Sequence, residues 1–147
     1  MWLEIWDSKK LASGPALAPS LTDLLQCYDS DPGYTWRLFE HWGEAKGLVL
    51  GRTLDELEKA AAREQGLELS WNGLQELARS SLTPYDMTLA GFDRSDIVPR
   101  SLKDEDLECS SRAVIQLVDS TSWRFYETNQ AVLGEIRRRF RDVRVPS

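Results

Sequence analysis

What most constrains the fold of this chain is the order of its periodic segments, each with its own start or stop signal. Residues 2–7 alternate. Leu3 and Ile5 point one way, while Trp2, Glu4 and Trp6 point the other, as in a half-buried strand. Residues 12–20 read as a loop by their Gly, Pro and Ser content. Ser20 then stands where a helix N-cap would, with Asp23 three residues on and Leu21, Leu24, Leu25 and Tyr28 along one side. Asp29-Ser30-Asp31-Pro32-Gly33 is a turn. In residues 34–46, Trp36, Phe39 and Trp42 fit a helical face better than a strand, and Gly47 to Gly51 is a short apolar link.

The second half is more sharply punctuated. Thr53-Leu54-Asp55-Glu56 is a capping box, followed by Leu54, Leu57, Ala60 and Ala61 as a buried stripe, with Gly66 ending the helix. Ser70 caps another helix, which turns Trp71, Leu74, Leu77 and Ala78 inward. Thr83-Pro84 stops it, because a residue before proline avoids helical angles. Tyr85 to Phe92 reads as a strand, residues 93–111 as a long acidic connection, and residues 113–119 and 123–127 as two strands joined by a Ser-Thr-Ser turn. A last helix runs from about Asn129 to Arg141, with Val132, Leu133, Ile136 and Phe140 inward, and Asp142 to Val145 can add an edge strand. This order predicts an α+β fold: a mostly antiparallel sheet of about four to five strands with helices packed on one face. A regular βαβα alternation is missing, which disfavours a doubly wound sheet.

A length of 147 residues predicts one globular domain over 1–147. Such a chain can bury roughly 70% of its unfolded surface, so its core needs no covalent staples. Six tryptophans are accounted for mainly by core packing, with one or two open to an interface role. Cys27 and Cys109 are too few for a secreted disulfide scaffold and read as thiols in a reducing compartment. The opening Met-Trp-Leu-Glu-Ile-Trp-Asp has no basic region or apolar run, and no stretch approaches the ~20 apolar residues of a membrane span. We therefore expect a soluble, cytoplasmic protein without a membrane partner.

Charge narrows the partners. Residues 112–147 hold seven arginines and four carboxylates, whereas residues 1–111 hold eleven Lys/Arg and twenty Asp/Glu. The whole chain has net charge −6 and a pI near 4.9, which argues against nucleic-acid binding and favours a basic protein partner. Arg137, Arg138, Arg139 and Arg141 sit near a helix C-terminus, where cations complement the helix dipole. The cluster could also pair with the acidic body, or meet a phosphate or a partner's acidic patch.

No residue set announces catalysis. His41, in Glu40-His41-Trp42, could act as a base only with a nucleophile and an orienting carboxylate, so it reads as structural or surface. Four acidic residues precede Cys109 closely and should blunt its reactivity. No metal or cofactor is expected: Asp104-Glu105-Asp106 lacks the alternating ligands, central glycine and closing glutamate of a calcium loop. Asp93, Asp96, Asp104, Glu105, Asp106 and Glu108 form either a solvated loop or a protein-recognition loop, since long structured loops are often functional. Arg94, Arg100 and Lys103 reduce the local charge.

The run from Val114 through Asp119 and Trp123 to Tyr126, followed by a helix that ends Arg139-Phe140-Arg141-Asp142-Val143, resembles the closing hairpin-helix of small bacterial immunity proteins that accompany polymorphic or secreted toxins. The resemblance covers about a quarter of the chain and transfers no binding residue. Asp119 and Trp123 also read simply as a turn and a packing anchor. Together with small size, acidity, aromatic wealth and missing catalytic motifs, the resemblance leads to an expected function. We expect a non-enzymatic immunity protein that occludes the active site of a basic toxin or effector domain, with the six acidic residues above as its contacts. The alternatives are a small enzyme or ligand-binding domain, or a DNA-mimicking inhibitor of a nucleic-acid enzyme.

Overall fold

Strand alternation and helix caps become a sheet with helices on both faces. The computed structural model describes residues 2–8, 19–45, 47–63, 65–118 and 122–146. Its elements are β1 (Trp2–Ser8), α1 (Leu21–Leu25), β2 (Thr35–Ala45), α2 (Leu54–Ala61), β3 (Leu67–Leu69), α3 (Trp71–Ser80), β4 (Ser81–Phe92), α4 (Asp104–Ser110), β5 (Ala113–Val118), β6 (Ser122–Glu127), α5 (Gln130–Arg139) and β7 (Phe140–Arg144). Most of the 12–20 loop and the Ser-Thr-Ser turn with Asp119 lie outside the described residues.

The fold is α+β, as expected, but the antiparallel sheet has seven strands in the order β3-β2-β4-β5-β6-β1-β7, not four or five. The largest correction is β2, expected as a helix and found as an eleven-residue strand. Its register against β4 shifts between Leu38 and Glu40, leaving Phe39 as an extra residue. This bulge carries Trp36, Leu38 and His41 to one face and Arg37, Glu40 and Trp42 to the other. A bulge breaks the period of two, so the aromatics mimic helical spacing while the backbone stays extended. Three-residue β3 is too short to show any period.

Helix starts follow the caps. Ser20 with Asp23 and Thr53 with Glu56 form reciprocal capping boxes, and the Ser70 Oγ accepts the Gly73 N–H at 3.0 Å. α3 ends at Ser80, before the expected proline stop, and Pro84 lies within β4. There β4 pairs with β2 alone, beside a register shift, a setting in which a strand tolerates a missing N–H. Gly66 turns the chain with φ +70°, and a Cβ there would lie 2.7 Å from the Leu38 carbonyl oxygen.

One sheet face carries Leu3, Ile5, Leu38, Met87, Ile115 and Phe125 into the main core beneath α1, α2, α3 and α5. The opposite face carries Ala90, Phe92 and Val114, packed with Phe39 and with Leu107 of α4. Helices therefore cover both faces, not one. The expected acidic loop contains a helix, α4, whose Leu107 packs on Ala90, Phe92 and Val114 of the second face.

Candidate functional site

Successive strands place a polar row beside the patch that α4 covers. Glu40, Thr88, Gln116, Arg124, Glu4 and Arg144 stand opposite one another, one per strand, from β2 to β7. Thr88 Oγ1 donates to Glu40 Oε2 at 3.3 Å, and Arg124 donates to Gln116 Oε1 at 3.1 Å. Beyond the row, β2 and β4 continue as a two-stranded arm. Here the Trp42 and Tyr85 rings pack in a tilted pair, their centroids 4.9 Å apart and their planes at 51°, and the Tyr85 hydroxyl donates to Glu44 Oε1 at 3.0 Å. Trp42 is 56% exposed, unusually open for a tryptophan, while Glu40 and Glu44 are exposed beside it.

The six acidic residues expected to bind a partner divide into two groups. Asp93 and Asp96 face Arg112, with contacts of 3.9 and 3.3 Å, and Asp96 also accepts the Asp93 N–H at 2.7 Å. Asp104 accepts from Arg124 at 2.8 Å. These three carboxylates are engaged in holding the connection and α4 on the sheet. Glu108 is half-buried, and its carbonyl accepts from the Tyr126 hydroxyl at 3.4 Å. Glu105 and Asp106 are exposed and make no ion pair among the described residues. Leu107 between them and the sheet is fully buried, so α4 has one apolar anchor and an outward acidic side.

The basic cluster is largely satisfied within its own element. Arg138 and Arg139 both donate to Glu135, at 2.8 and 3.0 Å, and hold its carboxyl down at about 2. Arg144 pairs with Asp142 at 2.7 Å and lowers that carboxyl as well.

On the helix-covered face, Glu127 is fully buried. It accepts the Tyr28 hydroxyl at 2.5 Å, the Tyr34 hydroxyl at 3.0 Å, and the Thr128 and Asn129 N–H groups at 2.9 Å each. Burial, then the Glu127 charge, pushes Tyr34 up to about 12 and Tyr28 well above the ordinary range, so both remain hydroxyl donors. This network ties the α1–β2 connection to the start of α5. Its lone pairs are committed to the fold rather than to a substrate.

His41 is buried on this same face, and desolvation lowers its pKa, which removes it as a solvent-accessible base. Cys27 is buried and pushed up to about 11, chiefly by burial, while Cys109 is exposed. A cleft of about 440 Å³ opens between α1, α3 and the end of α5, bordered by Tyr28, Trp71, Arg79 and Arg139. No group of three or more His, Cys, Asp or Glu suited to a metal occurs among the described residues. No helix among them is long and apolar enough to cross a membrane.

Neither Trp42 nor Tyr85 stood out in the sequence as a site. The available signal was a pair of aromatics among carboxylates, but their juxtaposition depends on the β2–β4 register. No protein-family model, curated protein or solved structure matches the chain.

Proposed function

We propose that this chain is a non-enzymatic inhibitor that binds a basic protein, an immunity protein for a bacterial toxin, and blocks the toxin's active cleft. The observation that carries the proposal is the construction of α4. Leu107 is sunk into the sheet and Asp104 is bound to Arg124, so Glu105 and Asp106 are presented outward on a fixed support. Rigid display lowers the ordering cost of association. Outward carboxylates draw a basic surface in and can occupy positions taken by a substrate's phosphates. Asp93, Asp96 and Asp104 act as supports in this reading, because each faces an arginine of the chain's own sheet.

The test begins with capture of the cognate toxin from the native host under toxin expression. Glu105→Lys with Asp106→Lys should then slow association by about tenfold at low salt and flatten its salt dependence. An unchanged association rate and salt slope would remove α4 from the interface.

A second reading is favoured by the cleft between α1, α3 and α5, which has room for a small ligand. Thermal stabilisation by a member of a metabolite panel, lost in Arg79→Ala, would support a ligand-binding domain. An inert panel beside a tight protein partner would sink that alternative.

A further inference from the structure

Three tryptophans on the second sheet face have different neighbours. Over the Trp2 ring lies the Arg124 guanidinium, 4.6 Å from the centroid. Over Trp6 lies that of Arg144, at 4.7 Å. Trp42 is the most exposed of the three, and among the described residues no cation lies over its ring. Its surroundings nonetheless suit one. Tyr85 packs against the indole, and Glu44 accepts the Tyr85 hydroxyl, which fixes the pair. Glu40 is two residues away on the same face and, among the described residues, accepts the Thr88 hydroxyl at 3.3 Å. A braced indole between exposed carboxylates offers a guanidinium both a π-face and charge-assisted acceptors.

We infer that Trp42 is the seat for an arginine side chain of a basic protein partner, flanked by Glu40 and Glu44. The inference rests on the reading of the chain as a receptor for a basic protein, and adds the chemical group recognised and its place. Arginine is favoured over lysine because its flat cation can stack on the indole while its edge meets a carboxylate. The Trp2–Arg124–Asp104 arrangement on the same sheet has that form, with the guanidinium over the ring and its Nη2 at 2.8 Å from the carboxylate.

Hexa-arginine and hexa-lysine peptides, titrated into the full chain at low salt, test this by the indole N–H resonances of the tryptophans. Hexa-arginine should move the Trp42 resonance saturably. Hexa-lysine should bind roughly two- to fivefold more weakly, and Trp42→Ala should lower hexa-arginine affinity by a similar factor, the size of an exposed cation–π contact. Glu40→Gln with Glu44→Gln leaves the ring in place, so its loss of affinity does not depend on folding at position 42. Equal affinity for the two peptides, or hexa-arginine binding unchanged by Trp42→Ala, overturns the inference. Binding abolished by Glu105→Lys with Asp106→Lys but untouched by Trp42→Ala also overturns it, while leaving the acidic-helix reading intact. The reverse pattern upholds the seat and moves the partner's surface away from α4.

Discussion

Glu127 gathers four hydrogen-bond donors on the main-core face of the sheet. A fully buried carboxylate is costly unless it is hydrogen-bonded, and here the Tyr34 hydroxyl and the Thr128 and Asn129 N–H groups meet Oε1 while the Tyr28 hydroxyl meets Oε2. Glu127→Ala takes the acceptor from the buried Tyr28 hydroxyl and from the part-buried Tyr34 hydroxyl and Asn129 N–H, while the Thr128 N–H keeps the Arg112 carbonyl at 3.1 Å. Each such loss costs about 1–3 kcal/mol, partly relieved by water entry, so we expect about 3 kcal/mol or more of lost stability in urea unfolding. Glu127→Gln keeps one oxygen for Tyr34 and the two N–H groups, and should cost about half as much. A Glu127→Ala protein within about 0.5 kcal/mol of the parent would show that the network contributes little. The surface ion pairs differ in kind. Arg138–Glu135 and Arg144–Asp142 are solvent-facing, and solvent screening and side-chain entropy leave such pairs little net effect on stability. The arginine-rich end of the chain is thus better understood as local charge matching than as a source of stability.

At the level of elements, α4 combines the smallest anchor with the most distinctive surface. Leu107 is its only buried apolar side chain, so Leu107→Ala should cost roughly 2–4 kcal/mol. The loss should concentrate in α4, because its polar ties to the sheet, Asp104–Arg124 and the Tyr126 hydroxyl on the Glu108 carbonyl, are partly exposed. Hydrogen exchange should speed up over Asp104–Ser110 while the β5–β6 ladder stays protected. Uniform loss of protection would mean that α4 and the sheet unfold as one unit. The same helix shows why the sequence was only partly readable. The Ser20–Asp23 and Thr53–Glu56 boxes were legible because a cap is a local bargain between residues three apart. α4 was not, since one leucine among acids has no amphipathic period. β2 stays ambiguous between helix and strand in the sequence because its bulge at Phe39 replaces strict alternation with a helix-like spacing. The candidate site divides in the same way. Acidity of the 93–108 segment is plain in the composition, but its neutralisation by Arg112 and Arg124 depends on tertiary pairing. The Trp42–Tyr85 pair likewise joins residues from different strands.

For the whole molecule, buried neutral groups set a pH window wider than the net charge of −6 alone would suggest. On the alkaline side, burial raises Cys27 from 9.0 to about 11 and Tyr34 from 10.0 to about 12, and raises Tyr28 further. A folded pKa above the unfolded value means that folding favours the protonated form. The stability this adds is complete below the unfolded pKa and disappears as pH climbs through the folded one. Loss should therefore begin near pH 9 with Cys27 and continue to about pH 12 with Tyr34. On the acid side the sign reverses for His41. Burial lowers its pKa below 6.5, so its contribution is present above 6.5 and lost as pH falls through the folded value. Below that, Glu135, held near 2 by Arg138 and Arg139, and Asp142, lowered by Arg144, add a further decline that high salt should blunt because both pairs are exposed. Urea unfolding across pH should give a plateau between about 6.5 and 9 with a fall on either side. Cys27→Ala should move the start of the alkaline fall from about 9 towards 10, where the tyrosines take over, at some cost in packing. Tyrosinate absorbance followed in the same samples identifies the cause. Tyr28 and Tyr34 should stay protonated in native protein at pH 10, and the absorbance from these two should rise together with unfolding. Tyrosine ionisation that is complete before the sheet unfolds would show that the Tyr28–Glu127–Tyr34 cluster does not couple proton loss to the fold.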